Sequence, residues 1–184
     1  MKSLQGQLLV ASPDLLDPNF RQTVVLIVRH TADEGSLGLV LNRPTGTSIK
    51  ELWQRLGESD CASDAHLCLG GPCEGPLMAL HAERSLGDIE VSAGIFFSSD
   101  TEQLTQLLNQ THEPARFFYG YAGWGPGQLE LELEEDSWSI GPASPQHVFA
   151  TDEELWERTT TEAAGWEVLS ALKIRDVPSN PSLN

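Results

Sequence analysis

Two neighbouring apolar segments constrain the fold of this chain more than any other feature of its sequence. TVVLIVRH (residues 23–30) is rich in β-branched side chains, and GSLGLVLNRP (residues 35–44) follows it after the turn-forming residues ADEG. Two such segments around a short turn predict a β-hairpin. Neither segment alternates apolar with polar residues, so both strands are predicted to be largely buried.

Helices are predicted between and after the strands. TSIKELWQRLG (residues 47–57), residues 100–110 and residues 152–159 each begin with a capping box, in which a serine or threonine is followed three residues later by a glutamate. The boxes are Ser48 with Glu51, Ser99 with Glu102, and Thr151 with Glu154. The threonine run 159–161 is predicted to weaken the last helix, because β-branched side chains lose rotamer freedom there, and the helix resumes over residues 162–174.

The distribution of strands predicts the fold class. Further strands are predicted in HLCLGGP (66–72), LMALH (77–81), IEVSAGIFFSS (89–99) and ARFFYGY (115–121). Because strands and helices do not alternate strictly, we predict the α/β (α+β) class, with a single domain that has a mixed, largely antiparallel central β-sheet and flanking helices. We expect this domain to span residues 1–174, with a frayed tail at residues 175–184 that is rich in proline, serine and asparagine.

The net charge restricts the partners of the chain. Among its 184 residues, 11 basic against 27 acidic residues give a formal charge of −16. Binding to DNA depends on lysine and arginine, so direct contact with a duplex is disfavoured and a protein partner is expected. No apolar run approaches the roughly 20 residues that span a bilayer, and the N-terminal segment lacks a secretory signal. We therefore expect a cytoplasmic protein that does not associate with membranes.

Cysteine and serine motifs indicate no catalytic site. The three cysteines, Cys61, Cys68 and Cys73, are odd in number and lack C-x-x-C spacing, so reduced thiols are expected. Cys68, Cys73 and His81 form a C-x4-C-x7-H pattern that matches no specific zinc site, and no serine lies in G-x-S-x-G. A cysteine nucleophile beside one of the five histidines stays open, since such pairs meet in space. We predict no metal, no cofactor and no catalytic residue.

The aromatic and glycine-rich block FFYGYAGWGPGQLELELEEDSW spans residues 117–138. Its second half is predicted to be a helix over residues 126–136, because leucine and glutamate are strong helix formers. A glycine-rich turn before a helix suits a phosphate, but the block lacks the G-x-G-x-x-G and G-K-[ST] patterns and its glutamates would repel an anion. Two interpretations stay open. The block forms a sterically tight turn, or it forms a pocket walled by Tyr119, Tyr121 and Trp124.

A second candidate site follows the predicted hairpin. Asn42 and Arg43 end a buried strand directly before a proline, where the chain leaves the sheet at its rim. Ligands of α/β folds often bind at such rims. Arg43 is predicted either to receive a carboxylate or to form a surface salt bridge, and His30 is expected to lie nearby.

Several segments together resemble a known family. GQLLVASPDLLDPNFRQTVVLIVRH, GSLGLVLNRPTG, GGP and GYAGWGPGQLELELEEDSW, in this order and spacing, resemble the YqgE/AlgH family of bacterial proteins over nearly the whole chain. The resemblance implies a single α/β domain and a role in transcriptional regulation, and it implies no catalytic residue, metal or cofactor. The matching positions are Pro13, Asp17, Phe20, His30, Asn42, Arg43, Pro44, Gly70, Gly71, Pro72, Gly120, Gly123, Trp124, Gly127, Gln128, Leu129, Glu130 and Trp138.

Three functional hypotheses follow. The first is a non-enzymatic regulatory or adaptor protein that controls transcription indirectly, through a partner protein. The second is an enzyme or small-ligand-binding protein that uses the rim near Asn42 and Arg43 and the loop from Tyr121 to Trp124. The third is direct regulation by DNA contact, which the charge disfavours. The predicted ligand or partner surface consists of His30, Asn42, Arg43, Tyr121, Trp124, Gln128 and Glu130.

Overall fold

The structure is a computed structural model that describes residues 3–55, 61, 63, 65–109, 114–149 and 154–171, with side chains described as far as residue 166. The strands are β1 (Gln7–Ala11), β2 (Val24–Thr31), β3 (Gly35–Val40), β4 (Pro44–Ser48), β5 (His66–Leu69), β6 (Cys73–His81), β7 (Ile89–Ser92), β8 (Ile95–Ser98), β9 (Ala115–Trp124) and β10 (Trp138–Pro142). The helices are α1 (Ile49–Arg55), α2 (Thr101–Asn109), α3 (Gln128–Glu134), α4 (Pro145–Phe149) and α5 (Leu155–Ala171).

The strands form one sheet in the order β10-β1-β2-β3-β9-β6-β8-β7. β5 lies parallel to β9 and antiparallel to β4, and all other pairs of the described strands are antiparallel. The predicted fold class, a mixed and largely antiparallel sheet with flanking helices, is therefore confirmed. β2 and β3 form the predicted hairpin. Within the described residues no helix is long and apolar enough to cross a bilayer.

The sheet curls so that β7, at one end of the strand order, approaches the segment before β1. The side-chain amide of Gln5, just before β1, donates to the carbonyl oxygen of Glu90 in β7, at 3.2 Å. Adjacent residues of a strand face opposite sides of a sheet. Accordingly Leu26 packs into a core inside the curl, whereas Ile27 packs into a second core outside it. β2 is thus buried on both faces, which explains why its sequence does not alternate. A third core lies beneath α1 and α2.

Of the four glycines in the aromatic block, Gly120 and Gly123 lie within strand β9, and only Gly125 and Gly127 lie in the predicted turn before α3. β9 extends to Trp124, and the turn begins only at Gly125. Gly120 has a φ of +71°, and a Cβ there would lie 2.7 Å from the carbonyl oxygen of Cys73. A Cβ on Gly71 would lie 2.2 Å from the carbonyl carbon of Tyr121. These two glycines allow the GGP segment and β9 to approach each other closely.

The helix predictions are confirmed in part. Ser48 and Glu51 form the predicted capping box, in which the amide of Glu51 donates to Ser48 Oγ at 3.2 Å and the amide of Ser48 donates to Glu51 Oε2 at 3.3 Å. At α2 the prediction of Ser99 as the cap is wrong. Asp100 Oδ1 accepts from the amides of Glu102 at 2.9 Å and Gln103 at 3.3 Å, because Asp100 directly precedes the first helical residue, Thr101.

The two later helices also test the predictions. The helix predicted at residues 126–136 is confirmed as α3 over the shorter range Gln128–Glu134, and Pro126 lies in the turn before it. The predicted weakening at the threonine run is wrong, because α5 continues through it without interruption. The hydroxyls of Thr159 and Thr160 each donate to the carbonyl oxygen four residues earlier, at 2.7 Å, a bond that helical threonine commonly makes. The predictions for Leu56, Gly57, Thr151 and the tail at 175–184 lie outside the described residues.

Candidate functional site

The structure divides the predicted site residues between two separate regions. In the hairpin His30 pairs with Ser36, next to the turn. Asn42 lies at the other end, where its Oδ1 accepts from the amide of Val24 at 2.9 Å. The seven residues of extended strand from Val24 to His30 span about 20 Å. The expectation that His30 lies near Asn42 and Arg43 is therefore wrong, because antiparallel pairing places the start of one strand beside the end of the other.

The first region joins α3 to the sheet through His30. The amide of Leu4 donates to His30 Nδ1 at 2.8 Å, and His30 Nε2 lies 2.9 Å from Glu130 Oε1. Because Nδ1 accepts a hydrogen bond, the ring hydrogen is on Nε2 and is donated to Glu130. The His30 side chain is only 4% exposed. His30 thus connects the N-terminal segment, β2 and α3.

A second carboxylate of α3 accepts hydrogen bonds from two tryptophans. Trp124 Nε1 and Trp138 Nε1 both donate to Glu132 Oε2, each at 2.9 Å. Gln128 Nε2 donates to Glu132 Oε1 at 3.0 Å, and the side-chain oxygen of Gln128 accepts from the amide of Gly125 at 3.1 Å. Sequence reasoning treated Glu132 only as a repelling charge. We call His30, Phe20, Trp124, Gln128, Glu130, Glu132 and Trp138 the α3 cluster.

Aromatic rings complete the α3 cluster. Phe20 stacks on Trp124 with ring centroids 5.8 Å apart and meets Trp138 edge-on at 5.5 Å. Trp124 and Trp138 are themselves T-shaped at 6.1 Å, a geometry that adds to the stabilisation from burial. Phe20 lies more than 100 residues before either tryptophan in the chain, so only the family resemblance singled it out.

The predicted aromatic pocket is not present in the structure. Trp124 is only 3% exposed and packs in the outer core with α3. Tyr121 packs against the core inside the curl, on the other face of the sheet. Tyr119 is 45% exposed, pairs with Leu69 of β5 and belongs to neither of these cores. The side chains of β9 that looked like one wall in the sequence therefore face different surroundings.

The second region is a cavity of about 220 Å³ at the end of the hairpin remote from its turn. We call it the rim pocket. It is lined by Arg21, Gln22, Asn42, Arg43, Trp156 and Glu157. The first two precede β2, the next two follow β3, and the last two lie in the first turn of α5. The prediction placed Asn42 and Arg43 at a rim, and their neighbours from the loop and from α5 were missed because tertiary packing alone brings them there.

Asn42 organises the rim pocket. Its Oδ1 is held by the amide of Val24, and its Nδ2 donates to the carbonyl oxygen of Gln22 at 2.8 Å. Arg43 Nη2 donates to the carbonyl oxygen of Arg21, also at 2.8 Å. These bonds hold Gln22 at a φ of +56°, a left-handed conformation that costs a residue with a side chain about 1–2 kcal/mol. Strained residues of this kind cluster at functional sites.

The charged side chains of the rim pocket keep hydrogen-bonding capacity for a ligand. Arg43 uses one nitrogen for the backbone, which leaves its other N–H groups available. Arg21 is exposed and its guanidinium forms no ion pair with any residue that the structure describes. Trp156 donates its indole N–H to the carbonyl oxygen of Ala11 at 2.9 Å, which fixes the ring that walls the pocket.

The zinc pattern of the sequence does not form a site. Cys73 and His81 lie at opposite ends of the nine-residue strand β6, and the described residues contain no group of three metal-binding side chains. His81 is instead fully buried, and its Nε2 lies 2.9 Å from Ser98 Oγ, whose hydroxyl donates to the carbonyl oxygen of Leu86. Burial lowers the pKa of His81 below the ordinary value of a histidine. Its Nδ1 has no hydrogen-bond partner among the described residues.

Comparison with known proteins gives the family. The family model described as AlgH-like matches residues 8–167. A UPF0301 protein of Chlorobaculum tepidum is 40% identical over 169 residues, which cover 87% of this chain and 87% of the relative. A UPF0301 protein of Thermobifida fusca is 34% identical and covers 99% of this chain and 96% of the relative.

Solved structures agree with this assignment. The solution structure of the AlgH protein from Pseudomonas aeruginosa, at 30% identity, covers 97% of both chains with a TM-score of 0.73. A crystal structure from Corynebacterium diphtheriae covers 88% of both chains with a TM-score of 0.72, and at 20% identity it supports the fold alone. Together with the sequence segments quoted above, these matches show that the chain belongs to the AlgH-like family.

Proposed function

We propose that this protein is a non-enzymatic regulatory protein that influences transcription indirectly, by binding an acidic group of a partner protein in the rim pocket. The observation that supports this proposal most strongly is the presence of Arg21 and Arg43 around one polar cavity, in a chain with a net charge of −16. Guanidinium groups bind carboxylates in a planar, two-bonded geometry, and such charge-assisted bonds are about twice as strong as neutral ones.

The overall negative charge does not prevent an acidic group from binding here. At physiological ionic strength charges beyond about 8 Å are largely screened, so the distant carboxylates mainly slow the approach of an acidic partner. Two unit charges 4 Å apart attract by about 4 kcal/mol in Coulomb energy at the effective dielectric constant of a protein surface, of which about 1 kcal/mol is retained by an exposed pair after solvation. The local pair of arginines therefore decides whether the contact forms.

The rim pocket is a better candidate than the aromatic block for this role. Trp124 and Trp138 are buried, and both indole N–H groups already donate to Glu132. The pocket residues Arg21, Gln22 and Glu157 are exposed instead. A partner could reach them without unfolding any described element.

The proposal is tested by affinity capture from cells that express the protein naturally. The tagged wild-type chain is compared with Arg43→Gln and Arg21→Gln, with proteins identified by mass spectrometry and nucleic acid quantified in the same eluate. We expect one near-stoichiometric protein partner, and a binding affinity reduced about 10- to 100-fold in each variant, since each removes charge-assisted hydrogen bonds.

Arg29→Gln is the matched control. Arg29 lies at the opposite end of β2, its side chain is 53% exposed, and its nearest carboxylate is Glu34 at 3.9 Å. This variant should retain the partner fully. Capture that is undiminished in folded Arg43→Gln and Arg21→Gln would contradict the proposal, and capture of DNA with a steep salt dependence would favour direct regulation instead.

A small-molecule function of the same pocket is the second candidate, and the cavity itself favours it. Its volume of about 220 Å³ lies below that of most drug-sized ligand sites, so it would suit a ligand of few atoms. A ligand at 100 times its dissociation constant adds about 2.7 kcal/mol to the free energy of unfolding. A metabolite panel should then show a saturable thermal shift that Arg43→Gln abolishes, and a flat panel would count against this function.

A further inference from the structure

We infer that the rim pocket recognises an α-carboxylate together with the N–H group on its α-carbon, as found in free amino acids and at the C-terminus of a protein chain. This inference rests on the proposed function, because it names the acidic group that the pocket binds. It depends on a feature that a simple carboxylate site would lack. Glu157 lines the same cavity as Arg21 and Arg43.

The oppositely charged side chains of the rim pocket do not pair with each other. Arg21 and Glu157 both line the cavity, yet no ion pair joins them within 4.0 Å, and the Glu157 side chain forms no hydrogen bond with the described residues. Arg43 donates a hydrogen bond to the carbonyl oxygen of Arg21 through Nη2 alone. Arg21, Arg43 and Glu157 thus line one cavity that protein atoms do not fill.

A ligand that complements this arrangement must carry an acceptor and a donor close together. The side-chain carboxylate of aspartate or glutamate offers acceptors alone, and Glu157 would repel it. An α-carboxylate has a nitrogen two bonds away, which carries hydrogens as an ammonium group in a free amino acid and as an amide in a chain. That nitrogen can donate to Glu157 while the carboxylate accepts from Arg21 and Arg43.

The dimensions of the rim pocket agree with such a ligand. A volume of about 220 Å³ corresponds to about seven water molecules, at about 30 Å³ each in the liquid. This space holds one small residue rather than a folded segment. The indole of Trp156, fixed by its bond to Ala11, supplies an apolar wall for the side chain of that residue.

Four probes test the chemistry in an NMR titration of the full chain, followed through the Trp156 indole signal. N-acetylalanine has the α-carboxylate and an amide N–H, propionate lacks the N–H, N-acetylalaninamide lacks the carboxylate, and alanine carries an ammonium group. We expect N-acetylalanine or alanine to bind at least about tenfold more tightly than propionate and the amide, as one charge-assisted hydrogen bond would produce. Equal binding of propionate, or no binding of any probe, would overturn the inference.

Variants show which residue binds the carboxylate and which binds the N–H group. Glu157→Gln should weaken N-acetylalanine and alanine about tenfold and leave propionate unchanged or tighter, whereas Arg43→Gln should weaken all carboxylates. Arg29→Gln is again the control that should change nothing. If Glu157→Gln binds every probe as the wild type does, the role of Glu157 is refuted.

The same measurements distinguish the two sources of the ligand, and they distinguish failure of the proposed function from failure of this inference. Tighter binding of N-acetylalanine than of alanine would identify the C-terminus of a chain, and the reverse would identify a free amino acid. If partner capture depends on Arg43 while the probes do not bind, the proposed function stands and this inference fails. If capture is independent of Arg43 and the probes still bind in the expected order, the inference holds for a small molecule and the adaptor function fails.

Discussion

The α3 cluster and the rim pocket contain similar residues but use them in opposite ways. In the α3 cluster each of the polar side chains is bonded to protein, as when Glu132 accepts from two indoles and Gln128. In the rim pocket the bonds of Asn42 go to backbone and position the loop, while Arg21 and Glu157 remain available. A motif rich in aromatic and acidic residues can therefore serve to connect structural elements. Ligand binding is expected where charged side chains are positioned by the fold but make no bonds within the protein.

The largest effect should come from removing the shared acceptor of the α3 cluster. Glu132→Ala leaves the indole N–H groups of Trp124 and Trp138 buried without a partner, at about 1–3 kcal/mol each. We expect the free energy of unfolding to fall by about 2–4 kcal/mol in urea titrations. Glu134→Ala, at an exposed position of the same helix, should change it by less than about 0.5 kcal/mol. Similar losses in both variants would contradict the role assigned to Glu132.

A smaller loss is expected when His30 is removed. His30→Ala breaks the bonds to the Leu4 amide and to Glu130, and should cost about 2 kcal/mol. The double variant with Glu130→Ala should cost less than the sum of the single variants, by about 1 kcal/mol, since the two residues contact each other directly. Strict additivity would show that the pair does not stabilise the fold. Arg29→Ala, on the exposed side of the same strand, provides the control.

The buried His81 makes the free energy of unfolding depend on pH. Because burial lowers its pKa in the folded protein, the unfolded chain takes up a proton at a higher pH than the folded chain does. The free energy of unfolding should therefore fall as the pH drops from the ordinary histidine value of about 6.5 to the lowered pKa, by about 1.4 kcal/mol for each pH unit between them. At higher pH His81 contributes no pH dependence, because it is neutral in both states.

The measurement for His81 is urea unfolding of the wild type and of His81→Gln at neutral and at mildly acidic pH. The variant should lose the part of the acid sensitivity that residue 81 contributes. His66→Gln, at an exposed position at the start of β5, should retain it. An unchanged pH dependence in folded His81→Gln would show that other groups cause the acid sensitivity.

The smallest effect on stability is expected in the rim pocket. Arg21 is exposed and its guanidinium makes no ion pair with described residues, so Arg21→Gln should change the free energy of unfolding by less than about 0.5 kcal/mol. The same variant should bind the partner about 10- to 100-fold more weakly. Thermal unfolding and capture on one protein preparation give both values. A loss of stability as large as that of Glu132→Ala would remove the contrast between the two regions.

Local patterns predicted much of the fold. The hairpin of β2 and β3, the helix α3 and the capping box at Ser48 were predicted correctly, because each depends on residues close together in the chain. The cap of α2 was assigned one residue too early, since Ser99 and Asp100 both suit a helix N-terminus and only the backbone geometry selects between them. The prediction for α5 failed because Leu155, Thr159 and Ala163 of α5 are buried where the helix packs against the sheet, and tertiary packing outweighs helix propensity.

The candidate site was predicted only in part. Asn42 and Arg43 were identified because a proline after a buried strand indicates a rim, but Arg21, Trp156 and Glu157 come from two other parts of the chain. Tyr121 and Trp124 were grouped because they are three residues apart. In the structure both lie on β9, where a spacing of three places them on opposite faces of the sheet. The predicted strand ended at Tyr121, so this alternation was not applied to Trp124.

The sequence by itself determined the family, most of the strands and helices, and the scarcity of basic residues, because these depend on the residues themselves and on contacts between near neighbours. Residues 89–99, predicted as one strand, form the hairpin of β7 and β8 instead. The tertiary structure decided which acids are bound internally and which stay available, since His30 and Glu130 are 100 residues apart and the rim pocket joins residues 21, 43 and 157. Burial and hydrogen bonding between distant segments decide whether a polar side chain supports the fold or faces a ligand. These contacts form only when the chain adopts its tertiary structure.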